Sequence, residues 1–277
     1  MWTVNNKPEL NDALGDIEPL VDYCRSLNNS HREPLKKLYI EYHAKGYATT
    51  YELSSLEGVK NEIKGQYTSK MTAGKPLGYV RWELNSNVTQ CPMCSINETH
   101  QLDHFMNEGT YGQLACCRLN LVPTCGVCNR LKHDNPYSDF VHAYYDKYPD
   151  VDFFVTTITV KNNHLGMIFS IDSAAIGNPV LARKTLSQFA HLELERRLHK
   201  AGISFLNNII GGLTCTTDKE LQNYLLSSEN YYKRIYGRND WRTSIIRGLR
   251  ANAAFNINVV NAMRTPVKVK PINGGGA

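Results

Sequence analysis

LNLVPTCGVCNRLK, residues 119–132, holds Cys125 and Cys128 in Cys-x-x-Cys spacing, and CPMC, residues 91–94, repeats that spacing with Cys91 and Cys94. Each pair is a tight turn that can offer two thiolates to one ion. Four sulfurs in a tetrahedral array make a closed structural zinc site. Residues 95–124 lie between the pairs, more than a compact zinc ribbon requires, so a folded excursion clamped at its ends is expected there. Residues 91–135 are rich in Cys, Asn and His and poor in apolar periodicity, so a cross-link is needed to order them. In a chain that opens MWTVNNKPELNDALGD, without a basic then apolar leader, such pairs read as metal ligands and not disulfides. Cys24, Cys116, Cys117 and Cys215 fall outside the pattern and read as packing residues.

The excursion contains LDHF, residues 102–105, then Asn120, and the second knuckle continues into Asn129 and His133. Phosphodiester hydrolysis needs these residue types. A neutral imidazole can take a proton from water near pH 7, and a divalent cation stabilises the departing oxygen. A carbonyl acceptor holds the imidazole in one tautomer. His104 fits the base, Asn120 the orienting group, and Asp103, Asn129 and His133 the cation ligands. Asn129 and His133 are four residues apart, so a helix starting near Cys128 would place them on one face. Arg130 and Lys132 read as solvated side chains or as a phosphate clamp.

The run CPMC…LDHF…LNLVPTCGVCNRLK resembles the HNH nuclease motif, a ββα-metal fold with a four-cysteine zinc. The resemblance implies an α+β core in which His104 is the general base, Asn120 lies on the loop between hairpin and helix, and Asp103 and Asn129 bind a catalytic Mg²⁺ or Mn²⁺. Asn129 stands where the signature has its last His, giving an H-N-N variant. The spacing to His133 resembles the paired helix ligands of colicin-type members. More loosely, the flanks resemble standalone bacterial HNH proteins of restriction and anti-phage loci.

Around this core the chain divides into a helical region, 1–85, the knuckle-bearing core, 86–148, a hairpin and helical region, 149–265, and an unstructured tail, 266–277. Ser30–Glu33 and Thr49–Glu52 show the capping-box pattern. Leu35, Leu38, Tyr39 and Tyr42 follow the first at helical spacing, and Leu53, Leu56, Ile63 and Tyr67 follow the second. Phe154, Thr156, Ile158 and Val160 alternate, Asn162-Asn163 offers a turn, and Leu165, Met167, Phe169 and Ile171 alternate again, which predicts a β-hairpin. Leu186, Phe189, Leu192, Leu194 and Leu198, then Leu221, Tyr224 and Leu225, predict helices.

The net charge of +5 and a pI near 8.7 suit a polyanionic partner. Residues 221–277 hold nine Lys/Arg against two Asp/Glu, with tyrosines interleaved. Trp241, Ile245, Ile246 and Leu249 would bury one helix face, leaving Arg242, Arg247 and Arg250 for phosphates. No run of about 18 apolar residues is present to cross a bilayer, so a cytoplasmic protein without membrane contact is expected. The expected activity is metal-dependent endonucleolytic hydrolysis of DNA, or of RNA such as tRNA, in anti-phage defence. Two other readings stand beside it. One is a zinc-stabilised nucleic-acid-binding module without catalysis, and the other a nuclease subunit that works only with an ATPase or another defence-complex partner.

Overall fold

A computed structural model describes residues 7–48, 53–86 and 88–264. The second capping-box sequence, Thr49–Glu52, and the tail after residue 264 lie outside the described residues. The chain is α+β and forms two compact units. The first comprises residues 1–153 and 171–194, the second residues 154–170 and 195–277. The region starting at residue 149 is therefore not one body, since residues 171–194 belong with the unit that carries the paired cysteines.

In the first unit, α1 (Leu10–Gly15), α2 (Ile17–Tyr23), α3 (Arg32–Lys45), α4 (Lys60–Lys70) and α5 (Gly78–Ser86) precede a two-stranded sheet. Leu35, Leu38, Tyr39 and Tyr42 of α3 are fully buried, as their spacing predicts; each apolar side chain so buried contributes about 1.5–3 kcal/mol. The cap sits earlier than Ser30. Asn28 accepts from Ser30 N, and His31 Nδ1 accepts from Asn28 N, closing a capping box around a 3₁₀ turn. Gly46 ends α3 in the left-handed region (φ 74°), which lets its N–H reach Tyr42 O at 2.7 Å.

Strands β1 (Gln101–His104) and β2 (Leu121–Thr124) pair antiparallel, with Asp103 opposite Val122 and His104 opposite Leu121. Helix α6 (Gly126–Lys132) follows at once. The ends of this unit are pinned from afar. The buried Arg118 guanidinium donates to Asp16 through Nε at 2.6 Å and Nη2 at 2.8 Å, and to Glu83 through Nη1 at 3.0 Å. Tyr79 donates to the same aspartate. Later in the chain α7 (Ser173–Ile176) and α8 (Pro179–His191) complete the unit, with Asn178 capping the N-terminus of α8. Leu192, Leu194 and Leu198 of the predicted pattern are buried, but Leu186 is exposed, and Leu181, Ala182, Thr185 and Gln188 face inward instead. Glu193, at φ 49°, breaks the run between Leu192, the C-cap of α8, and Leu194, which opens the next helix.

The second unit holds the predicted hairpin, β3 (Phe154–Lys161) and β4 (His164–Ile171), with burial alternating along β3. Asn162 and Asn163 both adopt positive φ, the requirement of a two-residue type I′ turn. Helices α9 (Leu194–Gly212), α10 (Asp218–Tyr236), α11 (Trp241–Ala251) and α12 (Ile257–Arg264) follow. Trp241, Ile245, Ile246 and Leu249 are buried as expected. Helix α11 crosses β3 so closely that a Cβ on Gly248 would lie 2.4 Å from Thr156 O. Among the described residues, no helix is long and apolar enough to cross a membrane.

Candidate active site and metal centre

The two knuckles converge. The Sγ atoms of Cys91, Cys94, Cys125 and Cys128 all lie within 4.8 Å of one another and all four residues are buried. Tetrahedral zinc with Zn–S bonds of about 2.3 Å needs sulfurs about 3.8 Å apart; Cys94 and Cys125 are 3.9 Å apart. The first knuckle turns because Cys94 N and Ser95 N both donate to Cys91 O, with Ser95 at φ 52°. The second is the start of α6: Cys125 is its N-cap and accepts from Cys128 N at 3.5 Å. Further donors face the sulfurs, Ile96 N toward Cys94 and Asn97 Nδ2 toward Cys125. Such donors favour thiolates over thiols. The Cys125 thiol is pushed down by the neighbouring side chains of Cys128, Cys91 and Cys94. Donor set, spacing and supporting hydrogen bonds all fit a structural zinc ion.

Beside this cluster, a cleft of about 620 Å³ brings together Asp103, His104, Asn129, Arg130 and His133. Residues to which the sequence assigned no role in a site also border it, among them Tyr67 from α4, Arg81 from α5, Gln101 and Glu108. His104 stands at the end of β1. Its Nε2 lies 3.0 Å from Ala115 O, and since a carbonyl only accepts, Nε2 carries the proton and Nδ1 keeps the lone pair. The Tyr67 ring meets the imidazole edge-on at 4.4 Å. Burial lowers the His104 pKa to about 4, with Lys132, Lys64 and Arg81 pushing the same way against the Ala115 hydrogen bond. The imidazole is therefore neutral at pH 7, the state a general base requires.

Asn120 does not orient His104. It is wholly buried, donating to Met106 O and Leu114 O and accepting from Met106 N and Tyr42 Oη. Its amide satisfies the loop after β1, so the Ala115 carbonyl takes the orienting place. His142 extends this chain: its Nδ1 accepts from Tyr144 N, so Nε2–H donates to Tyr42 Oη at 3.0 Å.

Lys132 is neither solvated nor a phosphate clamp. It is fully buried, donating to Asp103 Oδ1 at 3.2 Å and to His104 O at 2.8 Å. It also lies 3.1 Å from Asp103 Oδ2, without hydrogen-bond geometry. Burial raises the Asp103 pKa and Lys132 opposes the rise. His133 does not share a helical face with Asn129, because α6 ends at Lys132 and His133, at φ 43°, turns the chain away. Its exposed ring pairs with Asp134.

Two oxygens here lack a hydrogen bond among the described residues. Asp103 Oδ2 is buried without a hydrogen bond on a residue bordering the cleft. Asn129 donates Nδ2 to Gln101, which leaves its amide oxygen without a hydrogen bond among the described residues. Oxygen donors of this kind fit a hard divalent cation. Among the described residues, no second group of three His, Cys, Asp or Glu gathers as the cysteines do.

In the second unit the three arginines expected at phosphates are engaged. Arg242 pairs with Asp240 and its guanidinium lies over the Tyr236 and Trp241 rings, 4.4 and 4.3 Å from their centres. Arg247 and Arg250 both donate to Glu229.

No protein-family model matches the chain, and no solved structure matches it. Among curated proteins it is similar to Protein ea31 of Escherichia phage lambda, with 34% identity over 73 residues, 26% of this chain and 25% of that protein. The alignment thus spans about a quarter of the phage protein's length.

Proposed function

We propose that the protein is a metal-dependent endonuclease of the HNH type, with DNA as the favoured substrate and RNA such as tRNA as the other candidate. One observation carries the reading: the neutral His104, fixed through Nε2 on the Ala115 carbonyl, borders an open cleft with Nδ1 as its remaining basic atom. In that role Nδ1 accepts a proton from the attacking water while Ala115 stabilises the imidazolium that forms. Asp103 and Asn129 would hold Mg²⁺ or Mn²⁺, which when bound neutralises charge on the phosphate and the departing oxygen. The zinc cluster, through Cys125 and Cys128, fixes the helix that carries Asn129 and Lys132. Activity in anti-phage defence is the setting the resemblance implies.

A second reading, a zinc-stabilised nucleic-acid-binding module, is favoured by the Lys132 ammonium already compensating Asp103. The two separate on one experiment. Purified protein is incubated with plasmid, single-stranded DNA and tRNA in Mg²⁺, Mn²⁺ or EDTA, beside His104→Ala. The nuclease reading expects cation-dependent cleavage, reduced by about 10²–10⁴-fold in the variant. Binding without cleavage in any cation supports the module.

A further inference from the structure

We infer that Arg81, on α5 and outside the cysteine-rich segment, is the phosphate-binding residue of this cleft, receiving the non-bridging oxygens of the phosphodiester opposite His104. The inference rests on the nuclease reading above. Arg81 borders the same cleft as His104. Its Nε donates to Met71 O at 3.0 Å, and its guanidinium carbon lies 5.2 Å from the centre of the Tyr67 ring. That same ring meets the His104 imidazole at 4.4 Å, so one aromatic side chain sets both the cation and the base. Nε is committed to Met71 O and the guanidinium also interacts with the Tyr67 side chain, so the remaining N–H groups of the terminal nitrogens are what it has to offer. A planar fork held this way matches two phosphate oxygens at small entropic cost.

The charges around the cleft point the same way. Asp103 is compensated by Lys132, Glu108 lies 4.0 Å from Lys64 and 3.7 Å from His104 Nε2, and Asp134 pairs with His133. Arg81 forms no ion pair with a described residue, whereas the half-buried or buried Arg118, Arg242 and Arg247 each hold a carboxylate. An arginine fixed in place without a carboxylate, on the wall of a cleft, is prepared for an anion that arrives with the substrate. Arg130 also lacks an ion pair among the described residues, but it is exposed and no hydrogen bond or ring orients it.

The test uses the full chain with Arg81→Gln, Arg81→Lys, His104→Ala, and Trp82→Ala as a neighbouring control that is 71% exposed. Single-turnover plasmid cleavage should fall about 10²–10³-fold in Arg81→Gln, the loss typical of removing one preorganised donor to a charged transition state. Arg81→Lys should recover part of it, because charge returns without the fork, and Trp82→Ala should match wild type. In the His104→Ala background, where binding is read without turnover, adding Arg81→Gln should lower the log–log salt slope for duplex DNA by close to one unit. Wild-type cleavage by Arg81→Gln, with His104→Ala inactive, overturns the inference and leaves the nuclease reading intact. A rate loss with an unchanged slope also overturns it and makes Arg81 a positioning residue for Tyr67 and His104. If His104→Ala cleaves like wild type, His104 is not the base and the HNH-type reading fails, and the salt slope still decides whether Arg81 holds a phosphate. Should Arg81→Gln fail to fold, Arg81→Lys carries the rate comparison against Trp82→Ala, and an unchanged rate overturns the inference.

Discussion

Replacing Lys132 by Met tests whether the floor of the cleft is held by a buried ion pair. The Lys132 and Asp103 side chains are 1% and 4% exposed, and the ammonium is within 3.2 Å of both carboxylate oxygens and 2.8 Å from the His104 carbonyl. Methionine keeps most of the volume and removes the charge, leaving Asp103 and a strand carbonyl uncompensated. Breaking one side of such a pair costs about 3–5 kcal/mol. In a domain of this size each 1 kcal/mol moves Tm by roughly 2–4 °C, so the expected drop is roughly 6–20 °C. Removing Lys132 also removes the charge that restrains the Asp103 pKa, so protonation relieves the variant and its deficit should shrink as pH falls. Asp103→Leu combined with Lys132→Met takes away both charges and should regain most of the stability without regaining cleavage. Thermal unfolding followed by circular dichroism at pH 7 and pH 5, for wild type, both single variants and the double, closes the cycle. Lys132→Met melting with wild type, or the double variant as unstable as the single, refutes the buried-pair reasoning.

The cysteine cluster predicts one zinc per chain by elemental analysis, and Cys128→Ser should lose the metal and unfold residues 91–135, since structural zinc contributes roughly 10–16 kcal/mol of apparent binding energy in small metallodomains. Zinc-free, well-folded, active protein would contradict this. His104 and His142 are both held neutral by burial, below the usual imidazole pKa of about 6.5. The unfolded chain therefore binds more protons at mildly acid pH, and stability should fall as pH drops from about 6.5 through about 4, while Asn substitution at either position should flatten that slope. Denaturant titrations without divalent cation measure it, and an unchanged slope in both variants counts against the buried neutral rings. Because Arg242, Arg247 and Arg250 already hold Asp240 and Glu229, a triple Ala variant should lose stability while keeping the wild-type salt dependence of DNA binding. A slope reduced by several units would return them to the phosphate surface.

What could be read from the sequence was what local spacing encodes. The paired cysteines meet because each knuckle is a single turn, and the hairpin turns at Asn162-Asn163 because asparagine tolerates positive φ. The buried face of α11 likewise follows from Trp241, Ile245, Ile246 and Leu249. What was hidden depends on partners distant in the chain. Tyr42 meets Asn120 across 78 positions, Arg118 meets Asp16 across 102, and Lys132 meets Asp103 across 29. Nothing in the spacing of Asn120 distinguishes an amide that steadies a loop from one that steadies an imidazole. Arg118 did carry a signal, a charge between Cys116-Cys117 and Leu119, Leu121 and Val122, where burial demands a counter-ion. Tyr67 and Arg81 carried no signal of a site, since both occupy ordinary helices whose cleft-facing side only the tertiary fold selects.

The long reach of Arg118 and Asn120 means that the cysteine-rich segment and its cleft cannot travel alone. A fragment cut at residues 86 and 148 would keep every motif residue, yet Arg118 would lose both Asp16 and Glu83, Asn120 would lose Tyr42, and His104 would lose its Tyr67 wall. Grafted onto another scaffold, such a cassette would carry a buried guanidinium with no counter-charge and an imidazole open to water. Recombination or protein engineering that moves this cleft must therefore carry the preceding helices with it, as one inheritable block.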